Sequence, residues 1–562
     1  MRTHKTHTMK KMKLCIFVAL TALCITGCDC LDCGTIGSSI TANTVIVTKD
    51  VDGTFVSNPG DITLISSCAW TATNMTPEYI DFDYPSGSGG AFNFPVHLTQ
   101  ALKDALNADP SQFPGGENGL RIIGTIRFDS NCDDSFDLYI YYDEGLVLIF
   151  DSNGANGNPP APRVLTSGTT MIPDGTGMNF DSRPLSGWST QPNGGGTFYK
   201  ANESATFTVS TTLYALWNGD GSTAQKSIHI YNRRTLMEVE ETAGESLHYL
   251  VVADFDANWD DEGEEGQAIT WKPIGGHGRN FDRFAGKFNG NGHTIAYTIK
   301  DDAYNHLGLF AFIACEGEGE VKDLSVAGSI IANTRNTQGL WAGGIAGISE
   351  GLIEGCYSAV SIELVNNVQE RISAGGIVGV NYGIITACVA TGSIEATDSN
   401  DNVIVGGIAG TSNSNYFSLT HRATSISYCV STSTVKGVSI ANVYAGGIVG
   451  NLSGSSSSIS NCVAINVPSP DGWSINADGS ANSECGRIAG QINSNGSYNY
   501  ADEDMKLKKA GSTFVIPSGE KTGTGRSGEN ITQGAWRSAA WWAGLGGDWA
   551  NHYGDFDFTA TL

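Results

Sequence analysis

The sequence is short of charge, and of positive charge above all. Of 562 residues only 16% are charged, and 32 Lys and Arg face 58 Asp and Glu, for a formal charge of −26. A surface that tracks a phosphate backbone needs clustered Lys and Arg, so nucleic acid is excluded as a partner. The acidic excess suits a chain kept soluble outside a cell. Among 13 cysteines no C-x-x-C pair is joined by a second ligand pair, which argues against a structural zinc site. The ten histidines form no evident partner set. What is abundant is glycine: 71 residues, roughly one in eight against a usual ~7%. Glycine weakens helix interiors and supplies positive φ, so this level favours turn-rich β architecture. The length implies about three or four domains.

Residues 1–27 read as a leader. MRTHKTHTMKKMK is basic and LCIFVALTALCIT apolar, a run too short and wrongly flanked for a mature membrane-spanning helix. It ends in Ile25-Thr26-Gly27-Cys28, small residues before a cysteine. This resembles a bacterial lipobox, which implies cleavage before Cys28 and lipidation of Cys28; several acyl chains on one residue anchor where one is marginal. An ordinary secretory signal is the alternative. Asp29 and Asp32 are similar to surface-export signals of Bacteroidetes-type lipoproteins, so the expected location is the outer membrane or cell surface. Residues 28–39, with Cys30 and Cys33, are read as a flexible tether rather than a metal site. Cys68 and Cys132 are candidates for a disulfide, and the sequence favours neither state.

From 40 to 150, TANTVIVTKDV, RIIGTIRF and FDLYIYYDEGLVLIF alternate apolar and polar residues, as half-buried strands do. About a hundred residues at this spacing fit a β-sandwich. Ala69-Trp70-Thr71, Pro85-Ser86-Gly87 and the strand from Arg121 to Ile126 resemble the BACON domain of Bacteroidetes surface proteins. That family is named for suspected carbohydrate binding, but no binding residue carries over, and Trp70 is read as core. Thr99 to Gly119 reads as an insertion. Residues 151–165 form a Gly-, Pro- and Asn-rich linker. Over 166–218, Leu185-Ser186-Gly187-Trp188, the turn at Gly194 to Gly196 and Leu213-Tyr214-Ala215-Leu216-Trp217 resemble the Listeria–Bacteroides repeat, a small extracellular β module. It is read as a spacer with Trp188 and Trp217 as its small core.

Residues 225–504 repeat. Gly343-Gly344-Ile345-Ala346-Gly347 recurs as Gly375 to Gly379, Gly406 to Gly410 and Gly446 to Gly450, then degenerately as Gly486-Arg487-Ile488-Ala489-Gly490. Gly308-Leu309-Phe310-Ala311 is an earlier copy. Each full copy leads to Ile-x-x-Cys, ending at Cys356, Cys388, Cys429 and Cys462; the first unit has Val321 and Leu324 instead. A fixed period of roughly 30 to 40 residues signals a stacked repeat. The half-motifs are too short and glycine-rich for helices, so the expected form is a β-solenoid with Ile and Cys in inner columns, the thiols unpaired. The glycines are expected to let the chain turn and the coils approach closely. These motifs resemble the GLUG repeat of bacterial surface proteins, which include IgA-specific peptidases and adhesins. Segments around Ala253 to Asp256, Trp271 to Gly275 and Phe284 to Ile295 resemble the entry to such repeats and are read as an N-terminal cap. Residues 505–562 carry Trp536, Trp541, Trp542 and Trp549, read as a C-terminal cap. The whole is expected to be all-β: sandwich, small β module, solenoid.

Three candidate chemistries remain. Gly347-Ile348-Ser349-Glu350-Gly351 fits G-x-S-x-G, yet a nucleophile elbow needs strand–turn–helix context, and Asn381 takes the place of Ser349 in the next unit. Ser349 is therefore read as structural, and no catalytic residue is assigned. Asp254, Asp256, Asp260, Asp261 and Glu262 could offer oxygens to calcium, without EF-hand spacing, or a carboxylate pair for glycan cleavage. A solvated loop is the plainer reading, and no cofactor is expected. The expected role is adhesion without catalysis, through a glycan or a host or cell-surface protein. Variable insertions such as Thr411 to Ser425 are where the ligand is expected. A stalk without a ligand and a polysaccharide-degrading enzyme are the alternatives.

Overall fold

A computed structural model describes residues 40–42, 45–49, 55–58, 61–66, 69–82, 86–87, 90–108, 112–114, 121–130, 135–143, 146–165, 168–259, 270–276, 283–300, 304–315, 318–334, 339–366, 371–414 and 423–545. The chain is all-β, with 50% strand and 8% helix. It divides into two compact units, meeting in sequence between Asn218 and Gly219.

In the first unit a four-stranded sheet holds Ile40–Ala42, Asp61–Ser66, Gly90–Leu98 and Ile80–Phe82. A six-stranded sheet holds Phe55–Asn58, Val45–Lys49, Ser135–Asp143, Arg121–Ser130, Trp70–Asn74 and Ser86–Gly87. Trp70 is buried, edge-on to Phe128 at 5.9 Å, as a core residue. The segment after Thr99 holds a helix, Gln100–Ala108, whose Leu102 and Leu106 join that core. Thr99 Oγ1 accepts the Leu102 amide and caps it. One expected boundary moves. Leu146–Asp151, grouped by its alternation with the first domain, instead pairs with Thr211–Trp217 in a five-stranded sheet. The expected linker supplies that sheet with Arg163–Leu165. Period-two alternation shows that a segment is a strand but not which sheet it joins. Trp188 is fully buried there, and Trp217 stacks on Phe180.

The second unit is a β-solenoid. Among the described residues four sheets run its length, here called A to D. Sheet A has nine strands from Ile228–Ile230 to Asn495–Ser497, and sheet B fourteen. Sheets C and D have six each, from His306–Leu307 to Glu484–Gly486 and from Phe310–Ile313 to Ala489–Ile492. One coil passes through all four: Leu352–Glu354 in A, Tyr357–Asn366 in B, Ile372–Gly375 in C, Val378–Asn381 in D. The next begins at Ile384–Thr386, back in A and parallel to its predecessor. Every second residue points inward, so Ile353, Ile385, Ile426 and Ile459 form one fully buried column. A single apolar cluster joins the coils from Ile230 to Leu507.

The cysteines occupy the corner between sheets A and B. The residue before each one is left-handed: Gly355, Ala387, Tyr428 and Asn461 have φ of 63°, 54°, 53° and 53°. This bend leaves the carbonyl two residues before the cysteine facing inward. The thiol of Cys388 donates to the Thr386 carbonyl at 3.2 Å, and Cys356, Cys429 and Cys462 do the same to Glu354, Ser427 and Ser460. Each of these carbonyls already accepts an amide of the preceding coil, so the thiol adds a weak second donor while cysteine packs as a small apolar residue. None of the four thiols is in a disulfide, all four are buried, and burial pushes those of Cys356, Cys388 and Cys429 well above the ordinary range.

The recurring glycines sit at the bend between sheets C and D and let the coils approach closely, as expected, and they do so without positive φ. A Cβ on Gly343 would lie 2.4 Å from Val378 Cα of the next coil. One on Gly344 would lie 2.7 Å from the Gly376 oxygen above it, and one on Gly347 2.9 Å from His306 Cα of the coil below. None of the three has positive φ.

At the start, helix Arg233–Glu241 lays Leu236 and Val239 on the core under an Asn232–Thr235 capping box. Phe284, Phe288 and Phe310 fill the first coils, with Phe284 and Phe310 rings 4.7 Å apart. At the far end the tryptophans are not where a cap would put them. Trp536 and Trp542, with Trp541 beside them, cluster with Val389, Val430 and Val463, the outward column of sheet B. Those valines are apolar on the outer face, so the tail covers the flank. Trp549 lies outside the described residues.

Candidate functional site

Ser349 lies in sheet D, in register with Ile313 below and with Asn381 and Ser412 above. It is fully buried, and its Oγ meets no hydrogen-bond partner among the described residues. Leu352–Glu354 comes next as a strand, so the strand–turn–helix elbow is missing. Asn381 is the better-connected rung: its Nδ2 donates to Ser412 Oγ at 3.1 Å and its Oδ1 accepts the Gly383 amide at 3.0 Å. The column is polar in its middle three rungs, Ser349, Asn381 and Ser412, and apolar on either side, at Ile313, Leu452 and Ile492.

The acidic segment separates into two parts. Asp254 Oδ1 accepts from His293 Nδ1 and from the Thr294 amide, both at 2.9 Å, tying the segment to the start of the next strand. Asp256 Oδ1 accepts the amide and Nδ2 of Asn258, and its Oδ2 accepts Trp259 Nε1 at 3.1 Å. Both carboxylates are thus engaged in holding the loop. Asp260, Asp261 and Glu262 lie outside the described residues. Among those described, no three His, Cys, Asp or Glu side chains come together in a metal-binding group.

Trp259 was not singled out by the sequence. It is half exposed, yet its indole is fixed by Asp256, and Asn258 Oδ1 accepts the Thr298 amide at 2.7 Å. A broad ring presented in one orientation is a platform for an apolar or sugar face, because little side-chain entropy is lost on contact. The available signal was a Trp directly after an Asp-x-Asn turn; alternation and repeat counting both pass over it.

The insertion from Thr411 to Ser425 leaves sheet D after Asn413 and re-enters sheet A at Thr424. Residues 415–422 lie outside the described residues. Its base is anchored: Ser414 Oγ accepts the Ser456 amide from the coil above, and Thr424 Oγ1 donates to the Tyr382 carbonyl of the coil below. On the outer face of sheet A, Lys287, Glu320, Lys322 and Glu354 form a chain of ion pairs at 3.5, 3.0 and 3.0 Å. Burial works against the Lys322 charge, but the bonds from Glu320 and Glu354 outweigh it and raise its pKa.

Cys28, Cys68 and Cys132 lie outside the described residues. Among those described, no helix is long and apolar enough to cross a membrane. No family model and no curated protein matches the chain. Among solved structures it is similar to a Bacteroides ovatus protein provisionally named an immunoglobulin A1 protease, at 20% identity and a TM-score of 0.37. The likeness covers 56% of this chain and 86% of that one, and is too slight to transfer an activity.

Proposed function

We propose that this chain is a non-enzymatic, lipid-anchored cell-surface protein that acts as an adhesin. Cys28 is the lipidated residue, a BACON-like sandwich and a small β module come after it, and GLUG-type coils display the binding loops. The observation that supports it most is the contrast between a rigid parallel stack and the unequal connections it carries. The link from sheet D to sheet A is two residues in one coil (382 and 383) and ten in the next (414 to 423). Loops of free length on a fixed scaffold are where specificity resides. The ligand is a glycan or a host or cell-surface protein, met by the 414–423 loop and by Trp259.

The test is a binding screen of the folded ectodomain against mucin glycans, polysaccharides and matrix proteins, with the 414–423 loop replaced by Gly-Ser in parallel. Binding that falls at least about tenfold in the loop variant is expected. No binding by a folded ectodomain, or turnover of any glycan, contradicts the proposal. Protease added to intact cells should remove the ectodomain; protection from it contradicts surface display.

A further inference from the structure

The second glycine of each repeat forms a column that ends in a different residue: Gly344, Gly376, Gly407, Gly447, then Arg487. A Cβ on each glycine would meet the carbonyl oxygen of its counterpart one coil on, at 2.7, 2.4, 2.0 and 2.0 Å in turn. The last of those oxygens belongs to Arg487 itself. Any side chain at this position therefore forbids a further coil of the same kind. After the full glycine copies begin at Gly344, position 487 is where a side chain first occurs; sheets C and D add no strand beyond that coil, while sheet A adds Asn495–Ser497 and sheet B Tyr500–Asp502.

The segment that covers Arg487 replaces a coil without being one. The Arg526 carbonyl accepts the amides of Ile488 and Ala489 at 2.9 and 3.0 Å, as Ile488 does for Ile448 and Val449 at 2.9 Å each. Arg526 belongs to an irregular segment, held by bidentate bonds to Glu520 and one to Glu484. The Arg487 side chain is fully buried beneath it. Its Nη1 donates to the Asp502 carbonyl at 3.1 Å, and its Nη2 to the Gly528 carbonyl at 3.2 Å and Asn530 Oδ1 at 2.7 Å. Burial draws its pKa down to about 10, so it stays charged at neutral pH.

We propose that Arg487 is the stop residue of sheets C and D: its Cβ excludes a further coil there, and its guanidinium pins the covering segment through the Gly528 carbonyl and Asn530 Oδ1. This keeps the ends of sheets C and D from pairing with a second copy. A solenoid end with free strand edges is a template for head-to-tail association, which does not close.

Two variants of the full ectodomain separate the parts of the claim. Arg487→Gly restores the repeat glycine and removes both block and pin. Arg487→Met keeps the Cβ and bulk but loses the donors. Light scattering of Arg487→Gly against concentration is expected to rise to about twice the monomer mass or beyond. Arg487→Met is expected to stay monomeric while amide exchange across 517–531 speeds up about tenfold or more. A monomeric, folded Arg487→Gly overturns the proposal, and so does unchanged exchange in Arg487→Met. Should Arg487→Gly fail to fold, the exchange and mass of Arg487→Met decide it in the same terms.

Discussion

Two residues show how burial decides chemistry here. Ser349 sits in a G-x-S-x-G string, yet what surrounds its hydroxyl is the inside of a stack, and the Oγ is an orphan. Removing a buried, unpaired polar atom loses no bond, so Ser349→Ala is expected to gain up to about 1 kcal/mol in chemical denaturation. A substantial loss of stability would mean that an unseen partner holds the hydroxyl. Asp398 is the second case. Its Oδ1 accepts the amides of Asn400 and Asp401, but its Oδ2 is buried without a hydrogen bond. Burial, with the nearby Asp401 charge adding to it, raises its pKa above the ordinary 3.8 against the pull of those amides and of the Asn366 side chain. As pH rises above 3.8 the unfolded chain releases this proton before the folded one, so the group costs stability through that window and above it. Asp398→Asn keeps the amide acceptor and has no proton to lose. Its Tm should exceed wild type at pH 7, with the gain shrinking as pH falls toward 3.8; a gain constant with pH would remove the charge argument.

At the scale of the element, the repeat is fixed by backbone approach between coils. The motif G-G-I-x-G was visible as a spacing and close approach was expected of it, but the atom each glycine makes room for was not legible, because contact distance is a tertiary quantity. Gly407 makes the difference measurable. A methyl there would stand 2.0 Å from the Gly447 oxygen and 2.1 Å from Ser431 Oγ. Gly407→Ala is expected to cost about 3 kcal/mol, since the Ser431 hydroxyl can rotate away but the Gly447 oxygen cannot yield without parting the coils. Gly519→Ala, with open space around its Cβ, should stay within about 0.5 kcal/mol. Equal effects in urea titrations would show that glycine serves the unfolded chain here and not the packing. The left-handed corner before each cysteine left no such trace. Gly355, Ala387, Tyr428 and Asn461 share a conformation without sharing chemistry, because a rigid neighbour above and below can hold a residue where its own preference would not.

For the molecule as a whole, one apolar cluster running from Ile230 to Leu507 predicts cooperative loss of the stack. The four thiols of the corner column report on it directly. Cys356, Cys388, Cys429 and Cys462 should be silent to a thiol reagent in the native state. In rising guanidinium they should all react at one shared midpoint, the midpoint seen by circular dichroism. Reaction in separate steps would mean that the coils unfold as independent blocks. Any of these four left unlabelled in the unfolded chain, read residue by residue because Cys315 and Cys485 are thiols too, would mean that it was bonded. The tail belongs to this scale too: Trp536, Trp541 and Trp542 were legible as aromatic cover, but the surface they cover was not. The valines beneath them occupy outward positions of sheet B, and only the closed coil reveals which positions those are.

The sequence alone determined that this is a β protein, where its coils begin, and which inward columns of Ile and Cys they build. Those are matters of period, and a period survives in one dimension. The tertiary structure decided the rest: that Leu146–Asp151 belongs with the second sheet group, that the glycines answer to a neighbour's carbonyl, that Ser349 has no solvent, and that Arg487 ends sheets C and D. Each of these depends on a distance between residues roughly 30 or more apart in the chain, and such distances are set only once the coils have closed on one another.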